Sequence, residues 1–215
     1  MDKGFISVLR NRDFSKIWLA QIFSQTANHF LNFLLVLKVF ELTGSSTSVS
    51  ILIICFTVPA VFFGIYAGVV ADRFSQKTIM FLVNVLRALF VFGLIFSNSS
   101  LVLMYFFAFL ISSVMQFFIP AEAARIPAVV SREEYLAANS LYVFTNYATI
   151  IIGYSLVGLR LLLSDDQQYL LISSLFIIAS FLILTLPRDN IAKREISSNV
   201  FFKGIVKDFF ESWKV

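Results

Sequence analysis

Polar side chains recur at helical spacing inside the first long apolar stretch of this sequence. Gaps of four, three and four residues place them on one face of a helix: Gln21, Gln25, Asn28 and Asn32. Because polar groups are costly inside a membrane, such a face either lines a water-filled cavity or bonds to neighbouring helices. We predict cavity lining, shared by the adjacent His29, for which a packed or hydrogen-bonded role is favoured over titration near neutral pH.

A second polar pair lies in the third apolar stretch, where Asn84 and Arg87 are one turn apart. Arg87 is roughly nine residues from the inner end, or about 14 Å at the helical rise, and so lies near the membrane midplane. A charge at that depth needs a carboxylate, an amide or a water pocket. Position along the helix identifies no counter-ion, and functional and structural roles both stay open. We include both residues among the cavity-lining candidates.

The fourth apolar stretch ends in a segment with two prolines and two charges. Pro120 and Pro127 are expected to bend or stop the helix. Glu122 and Arg125 are three residues apart and can pair on one helical face. The segment is interpreted either as an ion-paired helix end or, more specifically, as a gate at the inner mouth of the cavity.

The sequence shows no nucleophile–base pair, metal cluster or phosphate-binding loop, so we predict a protein that is not an enzyme and needs no cofactor. The single cysteine, Cys55, lies in an apolar run, which is typical of a small buried residue. The net charge of +4 does not indicate nucleic-acid binding, because the positive residues lie between apolar runs and not along one exposed stripe.

The composition indicates that these segments lie in a membrane and not in water. The chain is 59% hydrophobic and 14% charged, whereas a soluble domain carries about 25% charged residues. Six apolar segments are long enough to span a bilayer as helices: about 14–40, 47–71, 78–97, 101–126, 137–163 and 168–187. Barrel strands alternate polar and apolar residues over about 10 positions, and these runs are continuous. We therefore predict an all-α membrane protein.

The distribution of lysine and arginine predicts the orientation. The N-terminal segment, the second and fourth connections and the tail carry these residues, and the other three connections carry none. Basic connections stay on the cytoplasmic side, so both termini are predicted to be cytoplasmic in a multi-pass protein of the plasma (inner) membrane. Lys38 and Arg160 lie about a turn inside the outer helix ends, where snorkelling to the headgroups is the ordinary explanation.

The last part of the chain differs from the rest. Residues 1–187 are predicted to form the bundle, and residues 188–215 a cytoplasmic linker. Within the linker, residues 200–214 place aromatic and aliphatic side chains on one helical stripe, as in helices that lie on a membrane surface. A soluble helix that binds a partner protein is the alternative.

The second connection carries a known pattern, Gly68-Val69-Val70-Ala71-Asp72-Arg73-Phe74-Ser75-Gln76-Lys77. It resembles the signature between the second and third helices of the major facilitator superfamily, roughly G-x-L-A-D-R-x-G-R-K. The matching residues are Gly68, Ala71, Asp72, Arg73 and Lys77, while Ser75 and Gln76 replace the usual glycine and arginine.

Further pieces resemble the drug-, macrolide- and siderophore-exporting branch of that family. They are Asn11-Arg12-Asp13-Phe14 with Trp18, Leu42-Thr43-Gly44-Ser45, Pro59, Arg87, and Pro120-Ala121 leading to Pro127 and later Ala138-Asn139. Their order along the chain matches the predicted topology, and together they cover nearly all of it.

The resemblance implies two six-helix bundles around a central cavity that opens alternately to each side, of which this chain is the first bundle. It implies a latch formed by Gly68, Asp72, Arg73 and Lys77, in which Asp72 meets the positive N-terminus of a helix in the second bundle. The implied partners are the lipid bilayer, a small-molecule substrate and that second bundle, supplied by the same protein or by another subunit.

Two features depart from the exporters. An acid is often found near Asn28 and near Asn84, and amides there cannot carry a proton. The Gly-Pro motif of the antiporters has Tyr154 in place of proline. Our first hypothesis is the N-terminal half of an efflux transporter for a small, amphiphilic organic molecule. The alternative is a six-helix membrane scaffold or degenerate half-transporter that moves nothing.

Overall fold

The computed structural model describes residues 3–97 and 100–187, which form helices joined by short connections. The helices are α1 (Lys3–Arg10), α2 (Arg12–Thr43), α3 (Ser46–Arg73), α4 (Gln76–Leu94), α5 (Leu101–Val129), α6 (Tyr135–Leu156) and α7 (Asp165–Leu184). Short 3-10 turns, Ile95–Ser97 and Val157–Leu161, extend α4 and α6. The predicted all-α fold is confirmed. The predicted linker and its amphipathic helix lie outside the described residues.

Short polar residues cap the starts of several helices. The side chain of Asn11 accepts hydrogen bonds from the first backbone N–H groups of α2, and Ser75 does the same for α4. At the start of α7, Ser164 and Gln167 form a reciprocal capping box. α2 ends at Gly44, whose φ of 60° is the left-handed conformation that glycine adopts without strain.

Six of the helices coincide with the six apolar segments, and the differences are at their ends. α5 continues through Pro120 and Pro127 to Val129, so of the two effects expected from these prolines, bending or stopping the helix, the second does not occur. α1, which the sequence did not predict, is an amphipathic helix of eight residues. It buries Val8 in the same apolar cluster as Phe14 of α2.

Five of the described helices, α3 to α7, are long and apolar enough to cross a membrane. α2 has 32 residues, or about 48 Å at the helical rise, but it carries the polar face and does not reach the same hydropathy. It also contributes more buried residues than any other described helix. A central position among its neighbours explains how a polar helix is tolerated in the bundle.

The helices pack in a fixed pattern of neighbours: α2 against α6 and α7, α4 against α5 and α7, and α3 against α5. Two apolar clusters fill the interior. One contains Phe14, Ile17 and Ala20 of α2, and the other begins at Ala27 of the same helix. Between the two clusters, α2 buries polar residues instead of apolar ones: Gln21, Ser24, Gln25 and Thr26.

Candidate functional site

We use the term polar layer for the buried and partly buried polar residues that form two hydrogen-bonded groups. Ser24, Asn28, Asn84 and Arg87 form one group, and Gln21, Glu122 and Tyr142 form the other. Arg87 of α4 is at the centre of the first group and is completely buried. Its Nη2 donates to Asn28 Oδ1 at 2.6 Å, and its Nη1 donates to Ser24 Oγ at 3.2 Å. The guanidinium carbon lies 4.1 Å from the ring centroid of Phe176. Neutral oxygens and an aromatic face therefore hold this cation.

Ser24 links Arg87 to Asn84 through two hydrogen bonds. Its hydroxyl accepts from Arg87 and donates to Asn84 Oδ1 at 2.8 Å, and Asn84 Nδ2 in turn donates to the Met80 carbonyl at 3.2 Å. Two of the sequence candidates, Asn28 and Asn84, are thus linked through Arg87 and Ser24. The hydrogen bonds run in one direction, from Arg87 through Ser24 and Asn84 to Met80, whereas Arg87 Nε has no hydrogen-bond partner among the described residues.

Glu122 of α5 is the acidic member of the polar layer and is also completely buried. Its Oε2 accepts a hydrogen bond from the Tyr142 hydroxyl of α6 at 2.8 Å. Arg87 interacts with it electrostatically but forms no direct ion pair with it among the described residues. Position along the helices gave no reason to associate these two charges, and the packing brings them together.

The expected pair between Glu122 and Arg125 does not form, and this correction has a clear cause. Arg125 Nη2 donates instead to the carbonyl of Pro187 at 2.9 Å, at the end of α7. Glu122 turns toward α6 and Arg125 toward α7, although both are on one helix. A gate made of the two as an ion pair therefore has no basis in the geometry, and their separate roles stay predictions.

The polar face of α2 divides into a buried part and a partly exposed part. Gln21 is 1% exposed and donates to the Tyr142 carbonyl at 3.2 Å, and Gln25 is also buried. Asn28, His29 and Asn32 are partly exposed. Cavity lining for these residues stays a prediction.

The close approach of α2 and α6 explains the position of His29. A Cβ atom added at Gly153 of α6 would lie 2.6 Å from His29 Cβ. The imidazole meets the ring of Tyr154 edge-on, with centroids 6.1 Å apart. The absence of a side chain at Gly153 is thus what allows α6 to pack directly on this turn of α2.

An open cavity of about 490 Å³ lies between α2 and the 3-10 turn that follows α6. Phe33 and Tyr154 stack in its wall with centroids 4.9 Å apart. Glu41 and Arg160, also in the wall, bind each other, with Arg160 Nη1 donating to Glu41 Oε1 at 2.7 Å. The cavity combines aromatic walls with one polar edge.

Both basic residues near the predicted outer face have acidic partners. Arg160 pairs with Glu41 as described, and Lys38 Nζ lies 2.8 Å from Asp165 Oδ2. Lys38 is only 8% exposed. These ion pairs tie the end of α2 to the turn that follows α6 and to the start of α7, and snorkelling of the two basic residues stays a prediction.

The residues of the predicted latch lie at the end of α3 and the start of α4. Gly68 is partly buried, and a Cβ atom added there would meet nothing within 4 Å. Asp72 and Arg73 are exposed. The Lys77 ammonium donates to the carbonyl of Leu186, so the connection is fastened to the end of α7.

Two more basic residues contact the same end. Lys16 of α2 donates to the Thr185 carbonyl at 2.9 Å, and Arg125 donates to Pro187 as described. We call Lys16, Lys77 and Arg125 the α7 anchor. Each binds one of three consecutive backbone carbonyls, those of Thr185, Leu186 and Pro187, which directly follow α7.

A comparison with protein families identifies the family of this chain. The family model of the Major Facilitator Superfamily matches residues 17–213. The chain belongs to the Major Facilitator Superfamily. Membership and the five apolar helices together make it a multi-pass membrane protein.

Individual relatives within the superfamily are distant. The chain is 28% identical, over 87% of its length, to the uncharacterized MFS-type transporter YfiS of Bacillus subtilis. It is 26% identical, over 80% of its length, to YkuC of the same organism, described in the same words. The matches cover 43% and 42% of those proteins, so the chain spans less than half the length of the curated relatives it matches. No solved structure matches it.

Three residues that contact Arg87 or Glu122 could not be identified from the sequence. Ser24, Tyr142 and Phe176 are residue types that occur throughout apolar helices, and no spacing relates them to Arg87 or Glu122. A serine four residues before Asn28 falls on the polar face of α2 and is the one signal that could have been found.

Proposed function

We propose that this chain is one six-helix unit of a secondary transporter that exports a small organic or amphiphilic compound by alternating access. It acts in the plasma membrane with both termini in the cytoplasm. The observation that carries the proposal is the latch connection. Lys77 fastens it to α7, while Asp72 stays exposed at the end of α3. An exposed carboxylate on a fixed support is suited to bind the positive end of a helix from a second unit.

The exposed surface of the bundle supports a second six-helix unit as the partner. α3 and α6 are the helices with the fewest buried residues among the long ones. They present large exposed side chains such as Phe62, Tyr66, Phe144 and Tyr147. The curated relatives are more than twice as long as the matched region, which leaves room for such a unit.

The cavity and the polar face favour a substrate with an apolar body and a few polar groups. Aromatic side chains form the wall at Phe33 and Tyr154, and amides are presented by Asn28 and Asn32 on the partly exposed side of α2. Such a lining binds by apolar contact and orients by a few hydrogen bonds. No covalent chemistry is required of the protein.

Efflux of ethidium from bacterial cells that express the full-length protein tests this function. The matched variants are Asp72→Asn, at the latch, and Asp166→Asn, an exposed acid at the opposite end of the bundle. A carboxylate at a helix N-terminus contributes about 0.3–1 kcal/mol. We therefore expect efflux to fall about two- to fivefold in Asp72→Asn, and to stay at the wild-type rate in Asp166→Asn.

Different results would contradict the latch and the export function. Wild-type efflux that is retained in Asp72→Asn contradicts the latch. No transport of ethidium or of a panel of amphiphilic dyes by the wild-type protein contradicts export and favours the non-transporting scaffold.

A further inference from the structure

Glu122 is the one acidic side chain that is completely buried among the residues the structure describes. Its neighbours along α5, Phe118 and Ala121, belong to the apolar cluster that contains Phe14. Oε2 accepts from Tyr142, but Oε1 has no hydrogen-bond partner within the described part of the chain. A carboxylate in apolar surroundings with an oxygen that lacks a donor is costly to keep charged.

The groups that interact with Glu122 do not fix its carboxyl in one protonation state. From α6, Tyr142 donates a hydrogen bond, and from α4, Arg87 contributes a positive charge. α2 and α3 also pack on α5, and no titratable group of theirs among the described residues interacts with this carboxyl. Arg87 itself is held by Asn28 and Ser24. The charged form of Glu122 thus has partial support and the neutral form is also accommodated.

We propose that Glu122 is the proton-binding site of this bundle and supplies the ion coupling of the transport suggested above. The coupling part rests on that proposed function. A proton from water adds to Oε1 and converts the carboxylate to a carboxyl. Tyr142 keeps its own proton throughout, and release returns the proton to water. No other bond forms or breaks.

The proposal also explains the amides on the neighbouring helices. Asn28 and Asn84 cannot bind and release a proton, so proton coupling within this bundle requires an acid at another position, and Glu122 is the acid of the polar layer. Glu122 interacts with Arg87, and Arg87 binds Asn28, which is partly exposed on the predicted cavity face. Protonation of Glu122 removes the negative charge opposite Arg87 and so changes how strongly Arg87 holds Asn28. The proton and a compound bound at the exposed side of Asn28 are thereby linked through the Arg87 and Asn28 side chains.

Infrared difference spectroscopy on the full-length protein in phospholipid vesicles tests proton binding directly. Spectra are recorded between about pH 6 and about pH 9, where carboxyls in water are already ionised. We expect a protonated-carboxyl C=O band in the wild-type protein that disappears as the pH rises. The band should be absent from Glu122→Gln and retained in Glu133→Gln, which changes an exposed acid.

Tyr142→Phe gives a second measurement that does not require removal of the acid. Loss of its hydrogen bond removes support from the charged form. The band should therefore persist to higher pH by about one to two units, the equivalent of one hydrogen bond to a charged group. This shift decides the matter if Glu122→Gln fails to fold.

Several results would overturn the proposal. They are an identical titrating band in Glu122→Gln, a wild-type spectrum without such a band, and an unchanged midpoint in Tyr142→Phe.

Coupling is measured in the same vesicles with ethidium. Glu122→Gln should lose accumulation driven by a pH gradient and keep exchange at equal pH. Wild-type vesicles that titrate normally but never move ethidium would contradict the transport function and leave proton binding supported.

Discussion

The contact at Gly153 predicts the sensitivity of the bundle to a single methyl group. A Cβ atom placed there would lie 2.6 Å from His29 Cβ and 2.9 Å from both Thr26 O and Phe30 N of α2. Ordinary contacts begin at 3.4 Å. Two of the three atoms belong to the backbone of α2, so no side-chain rotation relieves the clash. Gly153→Ala therefore requires α2 and α6 to separate by about 0.8 Å.

The magnitude follows from two opposing effects. Overpacking a tight interface costs about 1–3 kcal/mol. Replacing a helical glycine with alanine contributes up to about 1 kcal/mol in the other direction. Because the clash is with backbone, the upper part of the first range applies, and we expect a net loss of about 1–2 kcal/mol in the free energy of unfolding.

Two other glycines provide matched controls. A Cβ atom at Gly93 would meet the far end of the Phe107 ring at 2.7 Å, and that side chain can rotate away. A Cβ atom at Gly64 of α3 would meet nothing within 4 Å. Gly93→Ala should thus cost less than Gly153→Ala, and Gly64→Ala should be neutral or stabilising by up to about 1 kcal/mol.

Detergent-induced unfolding, followed by the fluorescence of Trp18, is the appropriate assay. Trp18 Nε1 donates to Thr145 Oγ1 at 2.7 Å and so joins the same two helices, α2 and α6. The chain has two tryptophans, and Trp213→Phe leaves Trp18 as the single reporter. If Gly153→Ala unfolds at the same detergent fraction as Gly64→Ala, the close packing of α2 on α6 is refuted.

Two further predictions concern charge. Asn28→Leu removes the shorter hydrogen bond of the Arg87 guanidinium and should lower the free energy of unfolding by about 1.5–3 kcal/mol in the same assay. Adding Arg87→Met should recover most of that loss. If nothing is recovered, the contact between Arg87 and Asn28 is contradicted. On the surface, hydrogen bonds from Ser7 and from Ser131 hold the pKa of Glu134 below its usual range. Because the folded value is depressed, the stabilising effect is complete above the ordinary glutamate pKa of about 4.3 and is lost as the pH falls through the lower folded value. Hydrogen exchange of α1 should accelerate over that range, and Ser7→Ala should weaken this pH dependence.

The six long helices and their order could be predicted because their apolar runs are long. The polar face of α2 was also visible, since four positions repeat at the helical period. What could not be predicted is how each helix is rotated against its neighbours. Glu122 meets Tyr142 because α5 and α6 are turned toward each other, and three-residue spacing to Arg125 says nothing of that rotation.

The partners of the basic residues were hidden for a different reason. Lys77 and Arg125 bind backbone carbonyls at the end of α7, and every residue carries a carbonyl. No residue type marks such an acceptor in a sequence. Even the end of α5 depended on packing, because Pro120 and Pro127 are accommodated inside a continuous helix.

The α7 anchor has a mechanical consequence. The end of α7 is held at three consecutive carbonyls by side chains from α2, α4 and α5. A force applied at residue 187 is therefore shared among four helices and does not bend α7 alone. A displacement of residue 187 is therefore expected to move α2, α4, α5 and α7 together as one rigid body.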